Sequence, residues 1–362
     1  MFYFLTELRE LFFGFNIFKY ITFRAAMSAV TTFFLCISAG PFFTRFLLQK
    51  KIHEYAKRED CPDLDRFLQS KQGIPTMGGI FVVGSILVSA LLWADLSNSY
   101  VLLTFFTCLF LAVLGFVDDY VKLTRRGVRG RGIRPRTKLL WQVFGGCLVG
   151  AYIYFRPEIT TDLDVPFLKS LVPFGIWYVP FAALVIVGSS NAVNLTDGLD
   201  GLATGCILIV SVTLSVLCYL TGHAHFSEYL FIPFIPGAGE LTVFSAALMG
   251  ASLGFLWFNS HPATIFMGDT GSLALGGTIG VIAVFIKKEL LLILLGGVFV
   301  VEALSVILQV SSFKLRRKRI FKVSPLHHHL QLSGWHESKI IIRFWIIGII
   351  LALLTLTTLK IR

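Results

Sequence analysis

Long uninterrupted apolar stretches constrain this chain more than any other feature of its sequence. A helix needs about 20 apolar residues to cross a bilayer core, with roughly 17 to 25 tolerated. Ordinary soluble domains have about 25% charged residues, whereas this chain has 15% and a mean hydropathy of +0.76. Ten stretches approach or meet the required length: 22–44, 74–94, 100–117, 139–155, 173–190, 202–221, 241–258, 272–286, 290–312 and 340–359. The sequence therefore predicts an all-α integral membrane protein with about ten transmembrane helices.

The positions of lysine and arginine orient these spans. Segments 45–71, 122–138 and 314–343 hold 23 of the 32 basic residues, and each follows an odd-numbered span. Basic residues in short loops stay on the cytoplasmic side, so one assignment puts all three segments inside and both termini outside. The +11 net charge is then mainly a topological signal, and attraction of anionic lipid or an anionic substrate is a second interpretation.

The chain is predicted to be one polytopic domain over residues 1–362. Leu5, Leu8, Phe12 and Phe15 recur at helical spacing, which indicates an interfacial helix over residues 1–20. Residues 222–239 are predicted to form an outer hairpin loop, and residues 313–339 a cytoplasmic loop that contains histidines.

Five aspartates lie at the ends of predicted spans, and the parity of the spans places all five inside, so the active site is expected at the cytoplasmic face. They are Asp118, Asp119, Asp197, Asp200 and Asp269. Adjacent carboxylates about 4 Å apart repel by about 4 kcal/mol at an effective dielectric of 20, so they need a cation or a proton. Mg²⁺ is the natural candidate, because it takes oxygen ligands and bridges phosphate oxygens.

Each polar segment also has a plainer interpretation. The Asp118–Asp119 pair is compatible with a solvated helix end, segment 191–201 with a polar turn, and Asp269 or Ser272 with a helix N-cap. Segment 71–79, which includes Lys71 and Thr76, supplies a cation and a flexible turn, and His327–His329 supply hydrogen-bond donors for phosphate. Either of these two segments alone is also compatible with a solvated loop.

Together, segments 71–79, 118–119, 191–201, 266–272 and 325–329 resemble the phospho-N-acetylmuramoyl-pentapeptide transferase family over essentially the whole chain. The resemblance implies transfer of phospho-N-acetylmuramoyl-pentapeptide from UDP to undecaprenyl phosphate, which gives lipid I and UMP in peptidoglycan synthesis. It also implies Mg²⁺ as cofactor, a homodimer, the bacterial cytoplasmic (inner) membrane and no nucleic-acid partner. The alternatives are an N-acetylhexosamine-1-phosphate transferase of the same superfamily and a cation-coupled transporter.

The family also implies roles for individual residues. Asp269 is expected to be the metal ligand, and the expected catalytic residues are Asp118, Asp119, Asp269, His327 and His328. The expected substrate-binding residues are Lys71, Thr76, Lys122, Lys138, Asn194, Asp197, Gly198, Leu199, Asp200, Asn259 and Phe266. Gln309, one or two turns beyond Glu302, is a further candidate hydrogen-bond donor to substrate. Two features depart from the family pattern: an Arg-rich loop between residues 124 and 137, and Ile74 in place of Thr.

Glu302 is the only acid deep in a predicted span. Intramembrane charges are functional candidates by default, so Glu302 is expected either to face a lipid-phosphate groove or to pair with a neighbouring helix.

Overall fold

The fold is described from a computed structural model covering residues 1–8, 10, 12–50, 52, 71, 73–124, 132–156, 159–166, 168 and 171–360. Within those residues the chain forms thirteen α-helices. They are α1 (Ile21–Gln49), α2 (Gly79–Trp93), α3 (Ser99–Thr124), α4 (Pro135–Tyr154), α5 (Tyr178–Thr196), α6 (Leu202–Thr221), α7 (Ala224–Leu230), α8 (Leu241–Asn259), α9 (Gly268–Phe285), α10 (Leu291–Leu295), α11 (Gly297–Arg316), α12 (Leu326–Leu332) and α13 (Glu337–Thr357).

Eight helices in the described part of the chain are long and apolar enough to cross a membrane: α1, α3, α5, α6, α8, α9, α11 and α13. The apolar helix α2 is shorter, with 15 residues, and α4 has 20. These ten helices correspond in order to the ten predicted spans. The prediction of an all-α, multi-pass membrane protein is therefore confirmed. Most of the first basic segment and residues 125–131 of the second lie outside the described residues.

Several polar segments predicted as loops continue the helices instead. Helix α3 runs through Asp118 and Asp119 to Thr124, and residues 191–196 form the last turns of α5. Helix α9 begins at Gly268, so Asp269 lies in its first turn. A continuing helix keeps backbone donors and acceptors paired at the membrane surface, and the polar side chains find their partners on neighbouring helices.

The three segments outside the spans differ from their predicted structures. The first twenty residues contain two 3₁₀ helices, Phe2–Leu8 and Phe13–Lys19, rather than one continuous interfacial helix. Helix α7 lies within the predicted outer hairpin, and α12 lies within the His-containing segment.

Helix α9 is the most enclosed membrane helix of the described chain, with every residue from Thr270 to Phe285 buried. It packs against α3, α5, α2 and α6. Its start lies very close to α3, because a Cβ on Gly115 would stand 2.3 Å from the carbonyl oxygen of Asp269. Small residues allow helix backbones to approach in membranes. Gly115 thereby brings the last turns of α3, with Asp118 and Asp119, alongside Asp269.

A buried ion pair holds the opposite end of the bundle together. Arg24 of α1 is 1% exposed, and its guanidinium donates to both carboxylate oxygens of Glu240 at 2.6 and 2.7 Å. It also donates to the carbonyl of Trp93 at the end of α2 at 3.2 Å. Arg24 thus joins the start of α8 to the end of α2.

Candidate active site

The polar segments meet at one end of the bundle, as the sequence predicted. Five helix ends lie there: the starts of α2, α4 and α9 and the ends of α3 and α5. The N–H of Gly78 donates to the carbonyl of Phe266 at 2.8 Å and the N–H of Gly79 to that of Met267 at 2.8 Å, so residues 75–79 lie along the start of α9. The amide of Asn194, at the end of α5, donates to Asp269 at 3.0 Å. Motifs separated by up to about 190 residues in sequence therefore form one surface.

Three carboxylates and two ammonium groups form the acid–lysine cluster, which consists of Asp118, Asp119, Lys122, Lys138 and Asp269. Oδ2 of Asp269 lies 2.5 Å from Nζ of Lys138 and 3.0 Å from Nζ of Lys122. The same two ammonium groups contact Oδ2 of Asp118 at 3.3 and 3.0 Å. Asp118 and Asp269 thus share both cations, and three carboxylates against two ammonium groups leave one negative charge.

Asp118 and Asp119 are adjacent in sequence, but the structure gives them different surroundings. Asp119 accepts hydrogen bonds from the N–H of Asp269 at 3.2 Å, from the N–H of Thr270 at 2.9 Å and from the Thr270 hydroxyl at 2.8 Å. It therefore caps helix α9 from a neighbouring helix, where a carboxylate is favoured by the helix dipole. Neither Asp269 nor Ser272 makes a side-chain cap at this helix end.

The chain entering α4 closes the site over Asp118. The N–H of Ile133 donates to Oδ1 of Asp118 at 2.6 Å, and a Cβ on Gly132 would stand 2.2 Å from the same oxygen. A glycine is therefore needed where the backbone passes this carboxylate. This contact belongs to the described end of the Arg-rich loop that departs from the family pattern.

A second group, the Lys71 cluster, consists of Lys71, Asp200, His261 and Glu337. Nζ of Lys71 lies 2.5 Å from Oδ1 of Asp200 and 2.5 Å from Oε1 of Glu337. Oδ2 of Asp200 lies 3.1 Å from Nδ1 of His261 and accepts the N–H of Ala263 at 3.0 Å. Burial raises the pKa of Asp200, but the Lys71 ammonium and these hydrogen bonds outweigh burial and hold the pKa below its usual range.

Phe266, Thr76, Gly198 and Leu199 lie near these two clusters. Nζ of Lys71 is 5.9 Å from the centroid of the Phe266 ring, on a half-buried face of the site. A Cβ on Gly268 would stand 3.3 Å from Oγ1 of Thr76, which puts Thr76 at the start of α9. Leu199 is buried in the turn before α6, and the partly exposed Gly198 and Asp197 precede it.

His327 and His328, which were predicted to be catalytic, are buried behind segment 191–201 rather than open to the site. His327 is fully buried, with Nδ1 3.2 Å from Oε2 of Glu302. A Cβ on Gly198 would stand 2.3 Å from Nε2 of His327, so this ring supports the 191–201 segment. His328 shares a 2.9 Å hydrogen bond with Gln331. Of the two interpretations of Glu302, the structure favours pairing, since α12 lies against it.

Two predicted substrate-binding residues hold loops in place. Oδ1 of Asn259 accepts the N–H of Gly201 at 3.1 Å and the hydroxyl of Thr204 at 2.8 Å, and its Nδ2 donates to Ile265 at 3.0 Å. The amide of Gln309 bonds to the backbone of Ile320 and Phe321. Gln309 therefore holds the turn that follows α11, since this turn folds back along α11.

His261 and Glu337 are absent from the sequence-based candidates. Glu337 is the first acid after Glu302 and begins a membrane helix, and that position is the one weak signal for it. A glutamate in the first turn of a helix is common without any ligand. Its contact with Lys71 spans 266 positions, so no local pattern indicates it.

The donor chemistry of the acid–lysine cluster fits Mg²⁺, because its side chains offer carboxylate oxygens and the formal charges of its three aspartates and two lysines sum to minus one. Among the described residues, one group of three His, Asp or Glu side chains has ligand atoms within 4.8 Å of one another, namely Asp200, His261 and Glu337. There the Lys71 ammonium already lies 2.5 Å from both carboxylates. In both groups a lysine ammonium lies 2.5 Å from a carboxylate oxygen, so Asp269 as the metal ligand stays a prediction from the family resemblance.

Comparison with known proteins gives closely similar relatives. The model of Glycosyl transferase family 4 matches residues 101–287. The phospho-N-acetylmuramoyl-pentapeptide-transferase of Thermodesulfovibrio yellowstonii is 51% identical over 353 residues, 96% of each chain. Those of Desulforapulum autotrophicum and Solidesulfovibrio magneticus are 50% identical over 96% of each chain and 48% identical over 100% of each chain.

Proposed function

The chain belongs to the phospho-N-acetylmuramoyl-pentapeptide-transferase family, and from this premise we propose that the acid–lysine cluster is its phosphoryl-transfer centre. The enzyme transfers phospho-N-acetylmuramoyl-pentapeptide from its UDP-activated form to undecaprenyl phosphate, giving lipid I and UMP. An N-acetylhexosamine-1-phosphate transferase and a transporter are not favoured by these relatives. A bacterial inner-membrane location and a homodimer are part of the proposal, and the family is their support.

The observation that carries the proposal is the sharing of two ammonium groups by Asp118 and Asp269. Phosphoryl transfer depends mainly on positioning and on neutralising charge at the transferring phosphate. An oxygen of the lipid phosphate attacks the sugar-linked phosphorus, and the bond from that phosphorus to the UMP oxygen breaks. Lys122 and Lys138, held 2.5 to 3.3 Å from the two carboxylates, supply positive charge at this point.

Mg²⁺ would be held by Asp269 with Asp118, and when bound it supplies charge neutralisation at the diphosphate. Asp119 keeps Asp269 in position through its bonds to the start of α9. A phosphate monoester loses its second proton at about pH 6, so the lipid phosphate is largely a dianion at neutral pH. Asp118 therefore acts chiefly by orienting Lys122 and Lys138 rather than by removing a proton.

The nucleotide is proposed to bind at the Lys71 cluster and Phe266. An aromatic ring beside an ammonium group provides a stacking surface for a base with a cation next to it. Gly198 and Leu199 form a turn that lies between Asn194 and Asp200 in sequence. This turn would contact the sugar and the diphosphate. His327 supports that turn from behind, as its contact with Gly198 indicates.

The direct test is UMP release by purified protein in detergent with undecaprenyl phosphate, Mg²⁺ and UDP-N-acetylmuramoyl-pentapeptide. Asp269→Asn is expected to abolish release. Asp95→Asn is the matched control, since Asp95 bonds Ser97 in the α2–α3 turn at the opposite end of the bundle. UMP release from UDP-N-acetylglucosamine but not from UDP-N-acetylmuramoyl-pentapeptide would favour the related sugar-phosphate transferases. UMP release that is unaffected by Asp269→Asn would contradict the proposed centre.

A further inference from the structure

Glu337 makes contacts that its position at the start of a membrane helix does not require. Its Oε1 accepts the Lys71 ammonium at 2.5 Å and the backbone N–H of Asp200 at 3.0 Å. We infer that Glu337 is a positioning residue for the nucleotide, acting through Lys71 and Asp200. The inference rests on the proposed function, which places the nucleotide at these two residues.

The geometry fixes a side chain that is otherwise flexible. A lysine ammonium is a point charge on a four-carbon stem with three donors that rotate freely. In this protein two carboxylates, Asp200 and Glu337, each lie 2.5 Å from Nζ. They hold the ammonium of Lys71 beside the Phe266 ring, at 5.9 Å from its centroid. A base stacked on Phe266 would therefore meet a cation whose place is set in advance.

The contacts of Glu337 also join three separate parts of the chain. They link Lys71, the turn before α6 and the start of α13. The Glu337 side chain is 13% exposed and that of Lys71 is 12% exposed, so this is not a solvated surface pair of negligible strength. Nδ1 of His261 also lies 4.0 Å from Oε1 of Glu337.

A glutamate in the first turn of α13 also favours the helix through its dipole, and this purely structural role predicts a different result. Glu337→Gln keeps an oxygen that can accept the N–H of Asp200, and it removes the negative charge that faces Lys71. A helix-stabilising role predicts lower stability with unchanged substrate affinity. A positioning role predicts weaker nucleotide binding in protein that remains folded.

The experiment measures UMP release against each substrate for wild type, Glu337→Gln, Glu337→Asp and the control Glu228→Gln. Glu228 is an exposed glutamate of α7. We expect Glu337→Gln to raise KM for UDP-N-acetylmuramoyl-pentapeptide about tenfold, the size of one charge-assisted hydrogen bond. The kcat and the KM for undecaprenyl phosphate should stay within about twofold. Glu337→Asp should restore part of the affinity.

A Lys71→Met background tests the route of the effect. If Glu337 acts through Lys71, Glu337→Gln should add little to the KM of Lys71→Met, because coupled residues are not additive. An unchanged or lower KM in Glu337→Gln, or full additivity with Lys71→Met, would overturn the inference. Absence of UMP release by the wild type would instead count against the proposed function. Should Glu337→Gln fail to fold, Glu337→Asp, whose shorter side chain holds the carboxylate farther from Lys71, should raise the KM by a smaller factor alone and add little in the Lys71→Met background.

Discussion

Replacing Asp119 by alanine tests whether this carboxylate works by holding Asp269 or by acting on substrate. The change leaves the backbone N–H groups of Asp269 and Thr270, the second of them buried, and the Thr270 hydroxyl without the acceptor that they contact at 2.8 to 3.2 Å. Bonds to a charged acceptor contribute about 1.5–3 kcal/mol each, but neighbouring contributions do not add. Loss of the cap to the two backbone N–H groups costs up to about 2 kcal/mol, and loss of the bond from the Thr270 hydroxyl adds about 1 kcal/mol.

We therefore expect Asp119→Ala to lower the free energy of unfolding by about 3 kcal/mol, which reduces the folded-to-unfolded ratio by roughly two orders of magnitude. Asp119→Asn retains one acceptor oxygen and should lose about half as much. Turnover should fall in both variants, since Asp269 is no longer held firmly.

The assay is denaturant unfolding in detergent without substrate or Mg²⁺, with UMP release measured on the same preparations. Asp118→Asn serves as the comparison, because Asp118 accepts one backbone N–H where Asp119 accepts two. It should lose turnover with a smaller loss of stability. Surface substitutions usually change the free energy of unfolding by no more than about 0.5 kcal/mol. A change of that size in Asp119→Ala would refute the capping role and favour a direct contact of Asp119 with substrate.

Four further outcomes are expected. Chelation of divalent ions should abolish UMP release, and added Mg²⁺ should restore it in wild type but not in Asp269→Asn. Asp118→Asn should lower kcat without changing the shape of its pH profile, and loss of one ionisation from that profile would instead identify a base. Gly198→Ala should destabilise the protein and reduce turnover, because the added methyl would lie 2.3 Å from His327; a fully active variant would contradict this packing. Asp200 has a lowered pKa in the folded protein. Its contribution to the free energy of unfolding should therefore be complete above about pH 5 and should be lost as the pH falls through the folded pKa. The unfolding free energies of wild type and Asp200→Asn, measured against pH, should thus converge in acid.

The fold class and the order of the long apolar helices could be predicted, because run length and composition report directly on the bilayer. The convergence of polar segments could be predicted as well, since helices that cross a membrane alternate direction. The ends of the helices could not, as α3 and α5 show: both continue into polar sequence. Such residues are stabilised by contacts with other helices, which a local pattern does not contain.

The different surroundings of the two adjacent aspartates illustrate what the sequence leaves open. Asp118 and Asp119 look alike in sequence, and only the packing of α3 on α9 turns one toward the lysines and the other toward the start of α9. Gln309, a polar residue within an apolar span, was predicted to donate a hydrogen bond to substrate. The same property equally fits a side chain that holds a turn, and the structure shows that turn.

Helix α9 also has a consequence for how the protein is made. It is the least apolar of the eight long membrane helices and the most enclosed by protein, so as an isolated segment it gains less from lipid than its neighbours do. Its favourable contacts exist only once α3 and α5 surround it. The residue that we propose as the metal ligand thus enters the membrane on a helix that depends on its partners, and biogenesis couples completion of the catalytic centre to completion of the bundle.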